Sequence, residues 1–250
     1  MKNDITMYVN TCNATMDFIP IFAHLFDKYW IDNTKVKVLG YSPINKKLPD
    51  RFEYISMAPE QVGGVQCWSS YLIDYFESID DEIILWGIDD HLIVDYLDVD
   101  IYNFLVDKIK NDSTIGRISL IDNIVNRQHT IMEKHNSFDL ILQNVGTNYR
   151  IDCQFSLWNK KYLLDNLKRD WTPWQFEING SNNVRYDNFK ILGTSKTYCI
   201  NRIEGKRHFE PSVINLLGAK YRDIIEMINL GLVNKEDVVG RMEWIWTGKE

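Results

Sequence analysis

The chain has 250 residues, 45% hydrophobic and 25% charged, the balance of an ordinary globular protein rather than a disordered or fibrous one. Its length suits one large domain with a single core, and no apolar run approaches the ~20 residues of a membrane-spanning helix. A net charge of −7 lacks the basic footprint of a nucleic-acid binder.

Residues 7–12 (MYVNTC) predict a short strand with no secretory leader ahead of it, so the expected location is cytoplasmic. Asp17 is expected to cap an apolar-periodic helix ending near Trp30. Strands are expected over 36–41 (VKVLGY) and 52–56 (FEYIS), with Gly63-Gly64 marking a loop. Residues 68–79 read as an amphipathic helix with Leu72, Tyr75 and Phe76 on one face. The continuous apolar run at 82–87 (EIILWG) is the mark of a strand buried on both faces. Strand, helix, strand, strand, helix, strand predicts an α/β fold with a mostly parallel sheet. A helix is expected over 95–110, strands over 115–121 and 138–145, and a short helix over 158–167. Residues 169–209 are polar, aromatic and loop-rich, and 219–230 form a last helix. No repeat or linker divides the chain, so a single domain over 1–250 with an irregular aromatic C-terminal portion is expected.

The net charge hides an asymmetry. Residues 52–107 hold thirteen acidic side chains and no Lys or Arg, while the remainder holds 28 basic and 22 acidic ones. Such a division suits a divalent cation on one side and phosphate on the other, although a solvated acidic face has the same pattern. Cys12, Cys67, Cys153 and Cys199 are widely separated and form no CxxC pair, which points to free thiols. The most informative cluster is Asp89-Asp90-His91, directly after the apolar run. In open α/β sheets ligands bind outside the carboxyl ends of the strands. In an extended chain Asp89 and His91 would face the same side. Carboxylates suit Mg²⁺ or Mn²⁺, and an added imidazole leans toward Mn²⁺. A turn closing a strand would use the same residues.

Four blocks in order, MYVNTC (7–12), CWSSYLIDYF (67–76), IILWGIDDHL (83–92) and FSLWNKKYLLDNL with WTPWQFE (155–177), resemble GT-A-fold nucleotide-sugar glycosyltransferases. The likeness is to bacterial-type enzymes of surface-polysaccharide biosynthesis. It implies a GT-A-like, Rossmann-related, mostly parallel sheet flanked by helices. It also implies a nucleotide-sugar donor bound mainly by residues 1–125, and a saccharide or lipid-linked acceptor on the side of 126–250. Asn10 and Thr11 would sit at the nucleotide. Asp89, Asp90 and His91 would form a DxD-like motif for ribose and a diphosphate-bridging metal, with Gly87 and His91 departing from the usual pattern.

Glycosyl transfer needs the leaving diphosphate stabilised and, in inverting enzymes, a carboxylate base. Glu177 is the candidate base and Asp170 the second choice, with Trp171 and Trp174 as a platform for sugar rings. Arg202, Lys206 and Arg207 form the densest basic cluster and suit a released diphosphate, while His208 could complete a metal shell. His24 and Trp158 read as core residues; His129 and His135 have no partner pattern. The alternatives are a sugar-nucleotide nucleotidyltransferase, although TCNATMD has neither Gly nor Arg, and a non-catalytic carbohydrate-binding module. No P-loop, dinucleotide fingerprint or nucleophile elbow is present. The expected partners therefore include no nucleic acid and no membrane span, with at most peripheral membrane association; oligomeric state is left open.

Overall fold

A computed structural model describes residues 5–45, 47–59, 63–195, 200–202 and 221–234. Strands β1 (Met7–Asn10), β2 (Val36–Gly40), β3 (Phe52–Ser56) and β4 (Ile83–Ile88) pair in parallel in the order β3-β2-β1-β4. Parallel neighbours need crossover connections. Helices α1 (Ile19–Tyr29) and α2 (Trp68–Glu77) supply two of them. β4 is buried along its centre, as its apolar run requires. Successive β4 residues point to opposite faces: Leu85 joins the α1-side core with Phe22 and Phe26, while Ile84 and Trp86 join Trp68 and Phe76 on the α2 side.

Asp17 does not cap α1. A 3-10 turn (Met16–Phe18) leads into the helix, Phe18 occupies the cap position without a side-chain bond, and Pro20 lies in the first turn. The turn is closed by backbone bonds from Thr15 N and Met16 N to Cys12 O, so the chain needs no carboxylate there.

After β4 the chain leaves the large sheet. β5 (His91–Ile93) pairs instead with the distant β11 (Ile200–Arg202). Helix α3 (Val99–Asn111) starts later than expected because Asp98 caps it, accepting from Ile101 N at 3.2 Å. β6 (Ile115–Ser119), β7 (His129–Lys134), β8 (Asp139–Gln143), β9 (Ser156–Asn159) and β10 (Lys190–Thr194) extend the sheet, giving β3-β2-β1-β4-β9-β6-β10-β8-β7. β9 is antiparallel to both β4 and β6.

Two expectations are corrected here. Residues 158–167 are not helical throughout: β9 carries Trp158 between β4 and β6, and only then does α4 (Lys160–Asn166) begin, capped by Asn159 Oδ1. The loop-rich reading of 169–209 fails at β10, where Ile191 and Leu192 are buried. Between them, α5 (Pro173–Gln175) starts with a Thr172/Gln175 capping box and runs through a π turn (Phe176–Gly180) into α6 (Ser181–Asn183). α7 (Tyr221–Asn229) docks on α1, where buried Asp223 accepts from Lys28 Nζ at 2.9 Å and Tyr29 Oη at 2.6 Å.

Gly87 is explained by Phe155, whose buried ring lies where a Cβ would stand; a methyl group there would meet ring carbons at 2.6 to 2.8 Å. Overpacking of this kind typically costs about 1–3 kcal/mol. Gly87→Ala is therefore expected to lower the urea unfolding midpoint without changing the slope, and an unchanged midpoint would contradict this packing.

Candidate functional site

The carboxyl ends of β1 and β4 lie side by side, Asn10 in register with Ile88. Backbone continuity extends one residue further, Asp89 N donating to Asn10 O at 3.1 Å. Thr11 Oγ1 then donates to Asp89 Oδ2 at 2.6 Å, with both side chains buried. A hydrogen bond to a carboxylate is charge-assisted and among the stronger ones. Asn10 serves the scaffold: its Oδ1 accepts from Trp68 Nε1 at 2.5 Å and its Nδ2 donates to Leu39 O at 3.2 Å. Those bonds tie the start of α2 to the ends of β1 and β2.

Asp89 and Asp90 form a turn rather than an extended pair, because the chain is switching from β4 to β5. Asp89 and His91 consequently do not share one side as a free pair. His91 Nδ1 lies 2.9 Å from Asp90 Oδ1, and its ring, only 2% exposed, meets Phe155 edge-on with centroids 5.8 Å apart. Its Nε2 is buried and has no hydrogen-bond partner among the described residues. Among those residues no three His, Cys, Asp or Glu side chains group to hold a metal ion. A cation held by Asp90 and His91 would therefore need further oxygen ligands from outside the described residues.

Glu177 lies in the π turn. Its Oε1 accepts from Cys153 N at 3.0 Å. Burial, followed by Glu177, Asp152 and Asp90, pushes the Cys153 thiol well above its ordinary range against the pull of Arg117. A buried thiol raised in this way is not an activated nucleophile. Asp170 lies elsewhere, exposed at φ 60° beside the start of α2, where its Oδ1 accepts from Ser70 Oγ at 3.0 Å. Trp171 packs half-buried on the α2-side core and Trp174 is 54% exposed. β11 sets the backbone of Arg202 opposite His91. The Arg202 side chain, and Lys206, Arg207 and His208 entirely, lie outside the described residues. Trp158 is core; His24 is half-buried, 3.5 Å from Glu226.

Sequence reading missed a buried ionic cluster. Arg117, from the middle of β6, donates to Asp152 Oδ1, to Ser156 Oγ at 2.8 Å and to Arg150 O at 3.4 Å, with its guanidinium over the Trp158 ring. Arg127 donates to Asp152 Oδ2 at 3.1 Å. The only signal was a charged residue inside the otherwise apolar IGRIS.

No protein-family model matches the chain, and no curated protein matches it. Among solved structures it is similar to S. aureus TarS 1–349, with a TM-score of 0.52 at 9% identity over 94% of this chain and 67% of that one. Others include GalNAc-T7 with UDP, GalNAc and Mn²⁺ (TM-score 0.48, 12% identity, 92% and 48% covered). A cytidylyltransferase from Leptospira borgpetersenii serovar Hardjo-bovis is also similar (0.45, 13%, 96% and 100%). Likeness at such identities is one of fold alone.

Burial would raise the Asp152 carboxyl, but Arg117 and then Arg127 outweigh it and hold it below its ordinary value. Burial also lowers Arg117, yet a guanidinium stays charged wherever the protein is folded, so the pair is ionic. A depressed carboxyl contributes stability above its unfolded value of about 3.9 and loses it as pH falls through the folded value. Asp152→Asn leaves Arg117 buried without its counter-charge. Thermal and urea unfolding should show a loss of about 3–5 kcal/mol at pH 7, narrowing below about pH 4. A loss that is constant with pH would contradict the ionic reading.

Proposed function

We propose that this chain, whose fold is GT-A-like, is a glycosyltransferase of the hexosyltransferase type. It would move a sugar from a nucleoside-diphosphate donor to a saccharide or lipid-linked acceptor. The observation that carries this reading is at the carboxyl ends of β1 and β4, where Thr11 Oγ1 donates to the buried carboxylate of Asp89 directly ahead of the facing pair Asp90 and His91.

In this reading residues 1–125 serve the donor. The bond from Thr11 would orient Asp89 to accept from ribose hydroxyls. Asp90 and His91 would hold Mn²⁺ or Mg²⁺ against the diphosphate, where the cation would supply charge stabilisation for the leaving group. Arg202, the last residue of β11, and Lys206 and Arg207, which come later in the sequence, would supply positive charge to the released diphosphate, with His208 as a further ligand. Residues 126–250 serve the acceptor. Glu177 would take the proton from the attacking hydroxyl as the new carbon–oxygen bond forms. The bond from the sugar carbon to the diphosphate oxygen breaks, and the diphosphate leaves with that electron pair. The Cys153 N–H bond to Oε1 fixes the carboxylate for this step. Trp174 would offer an exposed ring face to an acceptor sugar, with Trp171, packed on the α2-side core, as the second ring of the platform. Asp170, beside α2, is the weaker candidate base. No helix among the described residues is long and apolar enough to cross a membrane. A cytoplasmic place in polysaccharide biosynthesis belongs to the same proposal.

Thermal shifts with UDP-, GDP-, CMP- and dTDP-sugars, with and without Mn²⁺, test it. A donor at 100 times its Kd adds about 2.7 kcal/mol of stability. Asp89→Ala should abolish that shift. Glu177→Gln should keep it and slow transfer by roughly 10² to 10⁴. Absence of any nucleotide response would favour a carbohydrate-binding module. Formation of a sugar nucleotide from a nucleoside triphosphate would favour the nucleotidyltransferase.

A further inference from the structure

A cleft of about 330 Å³ lies between the β6–β7 and β8–β9 connections, closed on one side by Arg185. In a chain of net charge −7 its lining contains two arginines, Arg127 and Arg185, and no carboxylate. Hydrogen bonds brace the walls. Gly146, at φ 83°, donates its N–H to Arg185 O at 2.7 Å, and Arg185 Nε donates back to Gly146 O at 2.8 Å. That exchange fixes the guanidinium, which stands 5.9 Å from the Tyr186 ring centroid, while leaving its two terminal amino groups without hydrogen-bond partners among the described residues. Tyr149 is held at φ 52°, its carbonyl accepting from Arg127 and its ring lying under the Arg127 guanidinium.

The chemistry of the lining is specific. A guanidinium with free terminal N–H groups is the fork that grips a carboxylate or phosphate in two places. Asn126, Gln128 and Asn148 each carry a donor and an acceptor, the combination that matches sugar hydroxyls. Tyr149, 45% exposed, offers an aromatic face for a ring. The cleft is also joined to the candidate centre. Arg127 donates to Asp152, the neighbour of Cys153, whose N–H holds Glu177. Tyr149 and Cys153 are four residues apart, so they lie no more than about 14 Å from one another.

We propose that this cleft binds the anionic group, a carboxylate or a phosphate, of a saccharide acceptor. The word acceptor rests on the glycosyltransferase reading; the binding of an anionic saccharide does not.

Equilibrium binding to the full chain is measured at low salt with trigalacturonate, glucose 6-phosphate and neutral maltotriose. At least one anionic probe should bind, and the tighter of the two identifies the group the cleft prefers. Maltotriose should bind about tenfold more weakly or not at all, lacking a charge-assisted hydrogen bond. Arg185→Gln should weaken the anionic probe by about tenfold or more, with Arg185→Lys recovering part of the loss. Equal binding of maltotriose, or unchanged affinity in Arg185→Gln, overturns the proposal. Should Arg185→Gln fail to fold, added salt decides on the unaltered chain: anionic binding must weaken, and insensitivity overturns the proposal. A thermal shift with UDP on the same samples reports the donor site separately. Arg185-dependent binding of trigalacturonate without any nucleotide response would leave the cleft standing and remove the glycosyltransferase reading. A nucleotide response without anion binding would do the reverse.

Discussion

The buried pair between Arg117 and Asp152 is the contact on which both the candidate centre and the cleft depend. Taking two charges out of water costs several kcal/mol for each, and the attraction repays it only when the remaining donors and acceptors are satisfied. Here they are. Arg117 also reaches Ser156 Oγ and Arg150 O, and Asp152 also accepts from Arg127 and from Gln154 N. The result is that residues 149–153, which belong to no strand or helix, are tied to the sheet through the side chains of Arg117 and Asp152. Their fixed course puts Cys153 N under Glu177 on one side and Tyr149 beside Arg127 on the other.

The other end of the centre is positioned by steric exclusion. Gly87 leaves room for Phe155, and Phe155 in turn meets the ring of His91 edge-on. A glycine in a buried strand looks like a weakness, yet here it admits the ring that confines the imidazole. Asp89 is fixed separately, by Thr11 at the end of β1. Asp89 and the facing pair of Asp90 and His91 therefore have different surroundings, although the three residues are consecutive.

Much of the first half was legible because its strands are apolar runs bounded by breaks: MYVN, VKVLG, FEYIS and IILWGI were all found within a residue or two. The second half was harder for physical reasons. Asn159 both ends β9 and caps α4, so no break separates strand from helix in SLWNKKYLL. KILGT is short and carries Gly193, where Ile124 occupies the space of a side chain, so its apolar signal is weak. β5 and β11 are three residues each and pair across more than a hundred positions of sequence. In the candidate site, Asp89, Asp90, His91 and Glu177 stood out as residue types in a telling order. Asp152 and Arg127 did not, because an isolated charge in a polar stretch has nothing to distinguish it from a solvated one.

By itself the sequence determined the α/β class, the buried central strand and the carboxylates at its end, since periodicity and apolar runs are local properties of the chain. Only the tertiary structure decided which charges face one another. Asp152 lies 35 residues from Arg117, and Glu177 lies 24 from Cys153. Pairings over such separations depend on how β9 inserts between β4 and β6, a choice made by packing across the whole sheet.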